Sequence, residues 1–129
     1  MNGLPLSKRP RVLLAEDHAG VAKAVCRLLV LDCDVVGIVA SGTAVIEAAQ
    51  RLQPDVIVVD LNLPGVNGLE ACRQITQENP EAKVIVFTAV NDPDLKLRSF
   101  EVGASAFLYK GAGDGGLLST VRRLCDDRG

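Results

Sequence analysis

The stretch Val56-Ile57-Val58-Val59-Asp60-Leu61-Asn62-Leu63-Pro64-Gly65-Val66-Asn67-Gly68 decides how this chain is read. Four β-branched apolar residues in a row read as a strand buried on both faces, because a half-exposed strand would alternate. Pro64, Gly65, Asn67 and Gly68 then signal a turn. Asp60 therefore stands at the carboxyl end of a buried strand, where open α/β sheets gather their ligand chemistry. Three other strand-like runs also end in polar groups: Glu16-Asp17, Thr88 and Lys110.

Outward from that stretch, strand and helix patterns alternate. Val12 to Ala15, Val35 to Val39, Val56 to Asp60, Lys83 to Phe87 and Ala106 to Tyr109 read as strands. Between and after them, helices are expected over Val21 to Leu31, Thr43 to Leu52, Gly68 to Glu78, Pro93 to Val102 and Leu117 to Leu124. Leu69, Cys72 and Ile75 carry the helical spacing of the third. Asn79-Pro80 stops it, since a residue before proline avoids the α region. Asp92-Pro93 reads as an N-cap with proline at the first helical position. The pattern is (βα)5 with short loops, and right-handed crossovers favour a doubly wound, parallel five-stranded sheet.

Composition agrees. The 129 residues make one domain, with 48% hydrophobic, 23% charged and only 3% aromatic residues. A core without Trp must be built from Val, Leu, Ile and Ala, which suits a parallel sheet covered by helices. The net charge of −2 argues against a nucleic-acid-binding surface, which needs clustered Lys and Arg. Cys26, Cys33, Cys72 and Cys125 form no C-x-x-C pair, and no apolar stretch reaches bilayer-spanning length. A reduced, cytoplasmic protein with no membrane contact is expected.

In a sheet of flavodoxin-like order the first and third strand ends meet, so Glu16, Asp17 and Asp60 would share an acidic pocket. Two carboxylates about 5 Å apart repel by roughly 3 kcal/mol at an effective dielectric near 20. Oxygen-only ligands favour a hard cation such as Mg²⁺ (or Mn²⁺). An acidic pocket facing Lys110 and Thr88 points to a phosphoryl group, with Asp60 as the nucleophile.

Glu16-Asp17, Asp60 with Leu63-Pro64-Gly65 and Gly68, Thr88-Ala89 and Lys110 together resemble the receiver domain of two-component response regulators. The phrases Leu-Ala-Glu-Asp-His, Val-Val-Gly-Ile-Val-Ala-Ser-Gly and Glu-Val-Gly-Ala-Ser-Ala-Phe-Leu-Tyr-Lys-Gly are similar to the NarL/FixJ-like (LuxR-type) subfamily. The resemblance implies a CheY-like fold, with a receiver domain over residues 11–125. Residues 1–10 are then a flexible tail, and 126–129 the end or the start of a linker. It makes Asp60 the phosphoacceptor, with Thr88 and Lys110 completing the reactive set. Glu16, Asp17, Asp60 and the backbone carbonyl of Asn62 would hold the metal. Thr88 and Tyr109 would be the switch pair. A sensor histidine kinase or phosphotransfer protein would supply the phosphoryl group, and a homodimer is among the expected partners. The chain would catalyse only its own phosphorylation and slow dephosphorylation rather than act as an enzyme. Its output would be a DNA-binding domain absent from this chain, or it stands alone.

Some positions depart from the pattern. Glu16 replaces the commoner Asp, and Gly111 stands where many receivers have Pro, which removes the usual reason for a cis peptide after Lys110. Gly113, Gly115 and Gly116 would make the last helix start late or be mobile, at about 1 kcal/mol each against Ala. His18 reads as an exposed loop residue, because an oxygen-rich site does not call for imidazole. The G-x-G-x-x-G match at Gly111–Gly116 lacks the following βαβ unit of a dinucleotide site. A haloacid-dehalogenase-like phosphatase would need an Asp at position 62, which is Asn. A flavodoxin-like flavin module would not place Glu16-Asp17 where a phosphate binds. A receiver that works without phosphorylation remains the structural alternative.

Overall fold

A computed structural model of the protein describes residues 9–110 and 116–126. The element order is β1 (Arg11–Ala15), α1 (Ala19–Leu29), β2 (Asp34–Val39), α2 (Gly42–Leu52), β3 (Val56–Val59), α3 (Gly68–Glu78), β4 (Val84–Thr88), α4 (Pro93–Glu101), β5 (Ala106–Tyr109) and α5 (Leu117–Asp126). All strand pairings are parallel, in the order β2-β1-β3-β4-β5. The expected doubly wound architecture is present, and β3 lies between β1 and β4 as its four buried residues require.

Alternate residues of β3 supply the two sides of the core. Ile57 and Val59 face a layer formed with Val45, Ala48, Ala71, Cys72 and Ile75 of α2 and α3. Val56 and Val58 face Ala22, Val25, Leu29, Leu117, Val121 and Leu124 of α1 and α5. Each fully buried Val, Leu or Ile contributes about 1.5–3 kcal/mol, so the strand that carries Asp60 at its end is firmly packed on both faces. Burial pushes the Cys72 thiol up to about 11, and the Cys33 thiol likewise, with Cys125 adding to the second. None of the four cysteines is in a disulfide.

Several boundaries differ from expectation, each for a local reason. α1 begins at Ala19 rather than Val21, because His18 Nδ1 accepts a hydrogen bond from Val21 N at 3.3 Å and caps the helix. It ends at Leu29, leaving Val30 and Leu31 exposed. β4 runs to Thr88, one residue beyond Phe87, and Thr88 pairs with Tyr109. Arg9 and Pro10, read as tail, are fastened: Arg9 donates to Asp34 Oδ1, Val30 O and Cys33 O, and Pro10 O accepts from Asp34 N. The Lys110–Gly111 peptide and Gly113 to Gly115 lie outside the described residues. α5 starts at Leu117, directly after Gly116 at φ 78°. No helix among the described residues is long and apolar enough to cross a membrane.

Candidate functional site

The carboxyl ends of β1, β3, β4 and β5 bring together Glu16, Asp17, Asp60, Thr88 and Lys110. Asp60 follows the last residue of β3, and its N–H donates to Ala15 O at 3.1 Å, so the backbone leaves the sheet locked to β1. Glu16 is tied the same way on the other side, its N–H donating to Val39 O at 2.9 Å. One carboxylate oxygen from each of Glu16, Asp17 and Asp60 lies within 4.8 Å of the others. Glu16 and Asp60 are buried, and Asp17 is exposed.

Two buried carboxylates this close need a counter-charge. Lys110 supplies it: Nζ lies 2.5 Å from Glu16 Oε1 and 3.2 Å from Asp60 Oδ2. The ammonium also sits 5.7 Å from the Phe87 ring centroid, so the lysine stem lies over an apolar surface while its head meets the acids. The other oxygens are held from the backbone. Asn62 N donates to Asp60 Oδ1 at 3.2 Å, and His18 N donates to Glu16 Oε2 at 3.2 Å. Asp60 thus has one oxygen on an ammonium and one on an amide, an arrangement that fixes its rotamer.

The loop after Asp60 is shaped by close approach. Gly68 N donates to Leu61 O at 3.0 Å, and a Cβ added at Gly68 would lie 2.3 Å from Asp60 O. Only glycine lets α3 begin there. Leu61 and Leu63 point inward and are buried, while Asn62 between them is exposed at the rim of the site.

Thr88 is fully buried, and its Oγ1 accepts from Val90 N at 3.1 Å. Its carbonyl accepts from Lys110 N at 2.8 Å, and its Cα partner across the β4–β5 ladder is Tyr109. Tyr109 is 39% exposed, and Val90, Leu97 and Phe100 are exposed apolar side chains as well. The residues singled out from the sequence therefore gather in one place, with Tyr109 at its outer edge. The contacts of Phe87 and of the His18 N–H were not foreseen. Neither has a sequence signal beyond adjacency to Thr88 and to Asp17.

The donor set fits a hard divalent ion. Metal–oxygen bonds of about 2.1 Å place octahedral oxygens roughly 3 to 4.2 Å apart, so three carboxylate oxygens within 4.8 Å need only a small closure. Oxygen donors favour a hard ion over the softer metals that thiolate and imidazole select.

Residues 12–122 match the family described as response regulator receiver domain. The chain is 35% identical over 115 residues to the response regulator GacA of Pseudomonas viridiflava, covering 87% of this chain and 53% of that protein. It is 34% identical over 101 residues to the nitrate/nitrite response regulator protein NarL of Escherichia coli K12, covering 77% and 47%. The crystal structure of a two-component response regulator of the LuxR family from Aurantimonas sp. SI85-9A1 superposes with a TM-score of 0.87 at 29% identity. That match covers 92% of this chain and 86% of the other. The chain spans about half the length of the curated relatives it matches.

Proposed function

Because the chain belongs to the receiver domain family of two-component response regulators, in its NarL/FixJ-like branch, we propose that it is phosphorylated on Asp60 and signals through that modification. The observation that carries this reading is the buried Asp60 carboxylate held between Lys110 Nζ and Asn62 N, with Glu16 and Asp17 alongside.

Asp60 attacks the phosphorus of a phosphohistidine on a sensor kinase or phosphotransfer protein. The new P–O bond makes an acyl phosphate, the P–N bond breaks, and the imidazole leaves with the electron pair and takes up a proton. Glu16, Asp17, Asp60 and the Asn62 carbonyl are the groups that would hold Mg²⁺ (or Mn²⁺). When bound, the ion neutralises phosphoryl oxygens. Lys110 offers a second positive charge to the same oxygens, exchanging its carboxylate partners for the phosphoryl group. Thr88 Oγ1 gives up the Val90 amide to donate a hydrogen bond, and Tyr109, its neighbour on the ladder, follows. Phosphorylation in this way biases a two-state face made by α4, β5 and α5. Activity stops at self-phosphorylation and slow hydrolysis, since Asn62 stands where an aspartyl-phosphate phosphatase has its general acid. Control of a DNA-binding output domain is the proposed consequence; with a net charge of −2, this domain needs no nucleic-acid contact of its own.

The test is intact-mass measurement after incubation with Mg²⁺ and acetyl phosphate. One added phosphoryl group on the native chain and none on Asp60→Asn is expected. No adduct on the native chain, or one that persists in Asp60→Asn, refutes the reading.

A further inference from the structure

The loop that carries Asn62 is pressed on from outside the site by a residue with no polar side chain. Ser41 caps α2, its Oγ accepting from Ala44 N at 3.1 Å, and Gly42 is the first helical residue. Gly42 is buried, and its N–H donates to Pro64 O at 3.3 Å. A Cβ built on Gly42 would lie 1.6 Å from Val66 O, 2.5 Å from Val66 C and 2.8 Å from Val66 Cβ. Of the glycines described, none is approached so closely. The obstruction is backbone, so it cannot be relieved by a rotamer change. It is relieved only by moving the Leu61–Asn67 loop or the start of α2.

The loop has two fixed points. At its far end, Gly68 N binds Leu61 O, and Gly68 presses on the Asp60 carbonyl. At its crown, Pro64 and Val66 rest on Gly42. Asn62 lies between these points, and its N–H sets one oxygen of Asp60. We propose that Gly42 is a positioning residue for the acidic site. By admitting the crown of the loop against α2, it fixes where Asn62 and Asp60 stand relative to Glu16 and Asp17. This rests on the reading of those residues as a divalent-cation and phosphoryl site. It adds that the geometry of the site is set from α2, which carries none of its ligands.

Side-chain volume at position 42 should therefore weaken cation binding, beyond what loss of stability explains. The experiment uses the full 129-residue chain and Mn²⁺ alone as probe, free Mn²⁺ being read by electron paramagnetic resonance well below the melting temperature. Gly42→Ala is compared with Gly103→Ala. Gly103 has φ 110°, and an added Cβ there would meet Thr76 Oγ1 at 2.5 Å, at the opposite end of β5. Gly42→Ala is expected to lower Mn²⁺ affinity by about tenfold or more, since displacements near 1 Å cost up to a hundredfold in a preorganised site. Gly103→Ala should lose thermal stability yet bind Mn²⁺ as the native chain does. Native-like affinity in Gly42→Ala, or equal loss in both variants, overturns the proposal. If Gly42→Ala does not fold, Ser41→Ala, which unties the first turn of α2 without adding volume, must lower affinity at least about twofold; unchanged binding overturns the proposal. A native chain that binds no Mn²⁺ overturns the underlying site reading, which Asp60 phosphorylation checks separately.

Discussion

Replacing Lys110 by Met keeps most of the stem over Phe87 and removes the charge. Glu16 and Asp60 are then left as buried carboxylates whose oxygens lie within 4.8 Å. At that distance and an effective dielectric near 20, the repulsion is about 3.5 kcal/mol. Losing one partner of a buried ion pair costs about 3–5 kcal/mol by a separate route. We therefore expect Lys110→Met to destabilise the protein by about 3 kcal/mol in EDTA near neutral pH, which is a fall in Tm of about 10 °C for a chain of this size. The assay is thermal unfolding followed by circular dichroism, with and without Mg²⁺. Mg²⁺ should restore more than half of the loss, because it replaces the missing positive charge. Asp60→Asn in the same background should shrink the penalty, since the repelling partner is gone. A Tm for Lys110→Met within about 2 °C of the native chain in EDTA refutes the charge argument. A full loss that Mg²⁺ does not relieve refutes the cation site while leaving the ion pair standing.

Thr88→Val removes the acceptor of the Val90 N–H inside a buried site and should cost about 1 kcal/mol by urea unfolding. The variant should still take up phosphoryl on Asp60, yet the Tyr109 ring resonances should no longer shift on phosphorylation; a native-like shift counts against Thr88 as the relay. Alkaline pH offers a further check through Cys72, whose thiol lies at about 11 against an ordinary 9.0. The folded state keeps its proton after the unfolded chain has lost it, so this stabilisation is complete below pH 9.0 and is lost on rising to about 11. The loss is about 2–3 kcal/mol. Urea unfolding across that range should show a shallower decline for Cys72→Ala, and identical slopes contradict the assignment.

The parts of this protein that the sequence makes legible are those governed by short-range rules. β3 shows itself because four β-branched residues leave no exposed face. α3 matches its expected span because Asn67 caps one end and Asn79-Pro80 stops the other. α1 begins two residues before its apolar pattern indicates because its cap is a histidine, a type outside the usual capping residues, acting through Nδ1. In the site, residue identities are legible and their pairing is not. Lys110 reaches Glu16 across 94 positions and chooses it, together with Asp60, over Asp17. That choice depends on which side of the sheet each consecutive acid faces, and on the strand order between them. The contact of Gly42 with Val66 has no sequence signal either, because a glycine after a capping serine looks like an ordinary helix start.

Thr88 and Tyr109 are partners on one rung of the β4–β5 ladder, the first wholly buried and the second at the surface. Linkage between two such positions carries no direction. If modification of Asp60 moves Tyr109 through Thr88, a binding partner that captures Tyr109 in its activated place must stabilise the modified Asp60 by an equal factor. The partner on the outer face then helps set how much of the chain is charged with phosphoryl, and the receiver reports its listeners as well as its donor.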